Sequence, residues 1–306
     1  MTRPINATVY LAILAVWLLS LITPITALPA VPILPYNAPN PKRDAGRTTV
    51  VSGLNNWDCR PSAAHPRAIV LVHATLLTEE SWHPLVAPAL VKNGYCVFAL
   101  TYGRQPGVPF FGAVNHLESS AREVGDFVNK VLAATNTTQV DMVGHSQGGI
   151  LGRYWMKYMD GAGKVYRMVG ISAITHGTLL SGLVLLGEVT GLLKPAEPLI
   201  DAFCAGCYDM IRDSDFMKKL NAGGDTTPGV IHSYIATRYD EVITPYQSTF
   251  SLSSGVTNTL VQDLCAVSVP EHLLMVGSKV VMRWILNQLD PPNAKTANCL
   301  SVFDWY

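Results

Sequence analysis

The chain has 306 residues, of which 49% are hydrophobic and only 14% charged, with 22 Lys plus Arg against 22 Asp plus Glu. That length and composition support a sizeable core, and the balanced, sparse charge leaves no basic field for nucleic acid.

The N-terminus reads as a leader. Arg3 supplies a positive region, residues 9–22 are apolar apart from Ser20, Pro24 breaks the run, and Ala27 offers a small residue for cleavage. This is a secretory signal pattern over 1–27. The run is shorter than the roughly 20 residues needed to span a bilayer, and Gly182, Gly187, Glu188 and Gly191 interrupt the later apolar stretch 179–193. A Pro-rich linker over 28–43 ends in the dibasic pair Lys42-Arg43, a candidate propeptide cleavage site. The expected catalytic domain is therefore 44–306, secreted and extracellular.

Beyond the linker, strand-like runs alternate with helical patterns. Strands are expected at 68–72, 95–100, 139–143, 165–171 and 231–237, and helices at 81–93, 150–156 and 273–289. Leu117, Ala121, Val124, Val128 and Val131 mark one face of a further amphipathic helix. Such alternation implies an α/β fold, a mostly parallel sheet with helices on both faces. Residues 177–229 are the least regular part and are read as a cap-like excursion lining an apolar pocket.

Six cysteines in a secreted chain argue for three disulfides among fifteen possible pairings. Cys59 precedes the first strand and Cys96 opens the next; Cys204 and Cys207 suit a local bridge, leaving Cys265 and Cys299. A zinc reading of the Cys-x-x-Cys pair lacks further ligands at suitable spacing. Asn136-Thr137-Thr138 is a glycosylation sequon in an expected helix-to-strand loop.

The chemistry centres on Gly144-His145-Ser146-Gln147-Gly148, placed between an expected strand and an expected helix. That context makes the pentapeptide a nucleophile elbow, whose glycines occupy positions too crowded for a Cβ. A serine needs a histidine base and an orienting carboxylate, in the chain order Ser, acid, His. After Ser146 come His176, His232 and His272. His176 leaves too little chain for an acid-bearing strand, and His232 opens a strand at the wrong end. His272, in a loop before a helix, is the expected base. Asp240, just beyond the fifth expected strand, is the expected acid, with Glu241 and Asp263 as competitors. Oxyanion donors are expected from Gln147 and from the loop His73-Ala74-Thr75, where the Thr75 hydroxyl adds to its amide.

Val70-Leu71-Val72-His73, the segment 94–100, the elbow, the segment 237–246 and the block 220–229 together resemble the secreted class 2 lipase family of the α/β-hydrolase fold, over roughly residues 50–290. The resemblance implies triacylglycerol or ester hydrolysis by Ser146, Asp240 and His272 without a cofactor. The expected partner is a lipid or other apolar ester, met at an oil–water interface, and the expected state is a monomer. It also implies, by similarity to the yeast lipase B type, an oxyanion hole at Thr75 and Gln147. The family's usual His-Gly-Thr is here His73-Ala74-Thr75. A methyl group there narrows the site or shifts the Thr75 amide, and a positive φ at Ala74 would add strain of order 1 kcal/mol. A polyester, cutin-like or short-chain esterase is the alternative within the same chemistry. A non-catalytic hydrolase-fold binding protein is the alternative outside it.

Overall fold

The computed structural model describes residues 51–105 and 110–300. The expected leader 1–27, the Pro-rich linker 28–43 and the dibasic pair Lys42-Arg43 lie outside the described residues.

Six strands form one parallel sheet: β1 (Ala68–Val72), β2 (Val97–Leu100), β3 (Val140–His145), β4 (Val165–Ile171), β5 (Ile231–Ala236) and β6 (Thr257–Leu260). Their order is β2-β1-β3-β4-β5-β6, with every neighbouring pair parallel. β1 is Ala-Ile-Val-Leu-Val and buried at every position, as a strand covered on both faces requires.

Helices cover both faces, and the side-chain alternation of the strands divides the core in two. Val70, Phe98 and Met142 face α2 (Leu117–Thr135) and α3 (Gly148–Tyr158), packing with Val124, Ile150 and Trp155. Ile69, Leu71, Val143 and Ile235 face α1 (Val86–Lys92) and α8 (Lys279–Leu289), packing with Leu90, Val281 and Ile285. α2 ends where Asn136 adopts the left-handed conformation, φ 54°, a C-terminal cap that asparagine tolerates better than branched residues do. Asn136 is exposed.

Two expected helices are corrected, and two features are added. The helix expected over 81–93 is a 3-10 turn, Glu79–Trp82, followed by α1. The segment expected as one helix over 273–289 is a 3-10 turn, Leu273–Gly277, then α8, because Ser278 caps a new helix through its hydroxyl and Val281 N–H. Strand β6 was not expected: Thr-Asn-Thr-Leu is half-exposed at the sheet edge and carries no apolar pattern. The excursion 177–229 holds three helices, α4 (Leu183–Val189), α5 (Leu193–Asp209) and α6 (Asp215–Asn221). The single turn α7 (Val261–Leu264) completes the helices. No helix among the described residues is long and apolar enough to cross a membrane.

The cysteines pair as Cys59–Cys96, Cys204–Cys207 and Cys265–Cys299. The first ties the segment before β1 to the start of β2, and the last ties the turn after β6 to the C-terminal segment.

Candidate active site

Ser146 lies between β3 and α3, with φ 56°. A non-glycine residue reaches that region only when its surroundings over-determine it. Here the Ser146 amide donates to the Ile171 carbonyl at 2.9 Å, and the Ser146 carbonyl accepts from Gly149 N–H at 3.0 Å. The glycines make the turn possible. A Cβ on Gly144 would lie 2.2 Å from the Gly148 oxygen, and one on Gly148 would lie 2.1 Å from the Val72 oxygen. Gly148→Ala is therefore expected to displace the elbow against β1, losing about 3 kcal/mol. In a domain of this size that corresponds to a Tm lower by roughly 6–12 °C, measurable by thermal unfolding, and an unchanged Tm would refute the packing argument.

His272 and Asp240 meet as expected. The His272 Nδ1–H points at the Asp240 carboxylate, 2.9 Å from Oδ1 and 3.0 Å from Oδ2, and both side chains are buried. Asp240 is itself fixed, since its Oδ1 accepts from Ile243 N–H at 2.7 Å and Val242 N–H at 3.1 Å. This arrangement commits Nδ1 to Asp240 and leaves Nε2 as the ring nitrogen that the carboxylate does not hold. Beneath it, His145 Nε2–H donates to the His272 carbonyl at 3.0 Å, and the two rings lie 4.9 Å apart. Burial, and next the charge of His272, push the His145 pKa well below its usual value. His145 is thereby a neutral strut under the base.

The competitors are engaged elsewhere. His176 Nε2 sits 3.1 Å from Asp225 Oδ2. His232 accepts from Thr227 N–H at 3.0 Å within the sheet. Asp263 is exposed and pairs with Arg238 at 3.8 Å. Glu241 turns its Oε2 to the His272 backbone N–H at 3.3 Å, so it supports the loop and not the imidazole.

Ser146, His272, Thr75 and Ala74 all line one cavity of about 630 Å³. Its far wall is the excursion, through Leu180, Leu183, Val184, Leu193 and Ile200. The expectation of an apolar pocket beneath a cap-like segment matches this geometry. Glu241 is the one carboxylate among the described residues that line it.

Ala74 is not left-handed; the left-handed residue of that loop is Leu76, at φ 63°, so no strain arises at Ala74. The loop is held from behind by His73, whose Nδ1–H donates to the Ala74 carbonyl at 2.8 Å and whose ring stacks on Tyr102 at 4.4 Å. Tyr102, which the sequence pattern does not single out, has one hydroxyl proton shared between two acceptors, the His73 carbonyl at 2.7 Å and Gln147 Oε1 at 3.0 Å. Gln147 Nε2–H in turn donates to the Ala113 carbonyl at 3.2 Å. These bonds consume the Gln147 side chain, while its backbone amide stands at the cap position of α3. A buried tyrosine just past a sheet strand was the available signal for Tyr102.

Buried histidines set an acid limit on the fold. Burial above all lowers His73 to about 4, and burial together with the Arg153 charge lowers His232 to about 4. Both are neutral in the folded chain and titrate near 6.5 when unfolded. Between those values the unfolded chain binds more protons, so stability falls as pH drops from about 6.5 to 4, by on the order of 3 kcal/mol for each. Asp225 acts only lower. Against the upward push of burial, bonds from His176 and the Leu252 N–H hold it at about 2, so its contribution is lost as pH falls from the usual carboxylate value towards 2. Urea midpoints at about pH 7 and pH 4.5 test this: a steep drop is expected, shallower in His232→Gln, and no drop would contradict it.

A parallel sheet carrying a serine on the strained turn after its third strand, with a His–Asp pair beyond later strands, defines an α/β-hydrolase. The chain belongs to the class 2 lipase family, whose family model matches residues 66–276. In fold it is similar to Aspergillus fumigatus lipase B, at 17% identity and a TM-score of 0.59 over 86% of this chain. The match spans 65% of the length of that lipase. It is also similar to the mature form of the Bacillus licheniformis lipase BlEst2, at 15% identity and a TM-score of 0.56, covering 75% of this chain and 94% of that one.

Proposed function

We propose that this lipase-family hydrolase cleaves carboxylic esters of apolar acyl groups, triacylglycerols included, through an acyl-enzyme on Ser146. The observation that carries the reading is the His272–Asp240 pair at one wall of the apolar cavity that Ser146 opens on. Ser146 Oγ attacks the acyl carbonyl while His272 Nε2 takes its proton, and Asp240 holds the imidazole tautomer and balances its charge. The amides of Thr75 and Gln147, with the Thr75 hydroxyl, receive the developing oxyanion. His272 returns the proton to the leaving alkoxide, then activates a water that releases the acid.

Secretion belongs to the same reading. It is supported by the leader pattern of 1–27, by the linker 28–43 before a catalytic domain at 44–306, and by three disulfides suited to an oxidising compartment. Asn136, exposed at the end of α2, is then available for a glycan.

An acyl series from acetyl to palmitoyl p-nitrophenyl esters tests the substrate class. Each methylene buried in the cavity is worth about 0.8 kcal/mol, so kcat/KM is expected to climb roughly fourfold per CH2 until the cavity fills. A maximum at acetyl would instead favour a short-chain esterase. No turnover of any ester would favour a binding protein.

A further inference from the structure

Met210 stands at the C-terminal end of α5, where the cap meets the proposed oxyanion donors. Its Sδ lies 3.6 Å from Thr75 Oγ1 and 3.7 Å from Gln147 Nε2, each in donor geometry towards the sulfur. Nothing in the Ser–His–Asp chemistry uses this thioether. Its position is over-determined. The Cys204–Cys207 bridge closes the preceding turn, and Gly206 N–H donates to the Val114 carbonyl at 3.1 Å. Met210 N–H donates to the Gly206 carbonyl at 3.2 Å, and the Met210 carbonyl accepts from Thr178 N–H at 3.1 Å. Gly206 also lets the cap approach closely, since a Cβ there would lie 3.1 Å from Gln147 Nε2.

We propose that Met210 is the positioning residue through which the cap sets the oxyanion hole, and that oxidation of its thioether by a hydroperoxide shuts hydrolysis off. The proposal rests on the ester-hydrolase reading above. A thioether is a weak acceptor: it steers the Thr75 hydroxyl in the resting enzyme yet yields it readily to an oxyanion. Met210 lines the substrate cavity, which gives a small oxidant a route to it, whereas Met142, Met168 and Met275 are fully buried in the core. Met159 is half-buried but makes no contact with the proposed oxyanion donors, so its oxidation is expected to leave kcat unchanged. In the oxidation, a sulfur lone pair attacks the terminal oxygen of the hydroperoxide. The O–O bond breaks, an S–O bond forms, and water or an alcohol leaves; sulfur is oxidised and the peroxide reduced. The product sulfoxide is a polar, strong acceptor. It would hold the Thr75 hydroxyl and the Gln147 amide group against itself and withdraw the hydroxyl from the transition state. Methionine sulfoxide reduction reverses the change.

The test treats the full-length protein with hydrogen peroxide and follows Met210 by peptide mass spectrometry alongside p-nitrophenyl butyrate hydrolysis. Loss of an oxyanion donor is worth about 10²-fold or more in kcat. The expected result is a kcat falling by about that factor in step with Met210 sulfoxide, with KM changing less than about twofold. Met210→Leu keeps the volume without an oxidisable acceptor, so whatever activity it has is expected to survive peroxide. Met210→Gln, a strong acceptor, is expected to lower kcat well below that of Met210→Leu at similar KM. A wild-type enzyme fully oxidised at Met210 that keeps its kcat would overturn the proposal without need of any variant. So would equal peroxide sensitivity in Met210→Leu, or equal kcat in the two variants. Any of these outcomes, with hydrolysis still abolished by Ser146→Ala, would leave the ester-hydrolase reading standing. Hydrolysis indifferent to Ser146→Ala would overturn both.

Discussion

Ser146→Ala is expected to lower kcat for a soluble p-nitrophenyl ester by about 10⁶-fold, with KM little changed and the fold intact. The magnitude follows from the mechanism, which asks one hydroxyl both to attack the carbonyl and to carry the acyl group. Without it, only the oxyanion donors and the binding cavity act on attacking water. The cavity wall loses a single oxygen, and the alanine inherits a backbone already held by the Ile171 and Gly149 bonds, so substrate still docks. Residues acting as one unit are not additive. A Ser146→Ala/His272→Ala double variant is therefore expected to be no slower than Ser146→Ala alone. A further large drop in the double variant would mean that His272 serves a different nucleophile.

Asp240→Asn is the second large effect, with kcat expected to fall about 10⁴-fold. The change is nearly isosteric, and the surviving side-chain oxygen can still accept from Ile243 and Val242 N–H, which now bond Oδ1 at 2.7 and 3.1 Å. That oxygen is then taken, and the amide NH₂ turns to His272 Nδ1. An NH₂ facing Nδ1 favours the tautomer with the proton on Nε2, where it blocks deprotonation of Ser146. The carboxylate that balanced the imidazolium is lost as well. Binding should change far less than turnover, so the kcat and KM values of Asp240→Asn decide the matter. Glu241 offers no substitute, because its carboxylate is directed to the His272 backbone N–H. Near-wild-type kcat in Asp240→Asn would show that another carboxylate orients the base.

How much of this was legible depended on whether the signal was local. The elbow was readable because its pentapeptide is contiguous and Gly144 answers local crowding by the Gly148 backbone, although Gly148 itself answers the distant Val72 carbonyl of β1. His272 and Asp240 were readable because chain order and the ends of parallel strands restrict the candidates. The Cys59–Cys96 pair was suggested by its placement before two successive strands, which are neighbours in the sheet, whereas Cys204 and Cys207 were suggested by spacing alone. β6 was not readable, as an edge strand of Thr-Asn-Thr-Leu has no face that burial must make apolar. The α5 helix was obscured by Pro198 within it and by non-helical backbone at Cys204, where φ is −154°. The support of the oxyanion loop was invisible for another reason. Gln147 is gripped by Tyr102, Ala113 and Met210, partners 34 to 63 residues away in sequence, and no periodicity records such contacts. Ala74 was read as a source of strain only if its φ were positive, but the loop makes its left-handed step two residues later, at Leu76.

The most direct test of the account is to trap the acyl-enzyme. The protein is mixed with an excess of p-nitrophenyl butyrate, quenched in acid within the first turnovers, digested, and its peptides analysed by mass spectrometry. The account predicts one butyryl group per chain, on the Ser146 hydroxyl, absent from Ser146→Ala. Butyryl on a different residue, or a chain that turns the ester over while Ser146 stays unmodified even in Asp240→Asn and His272→Ala, would contradict it.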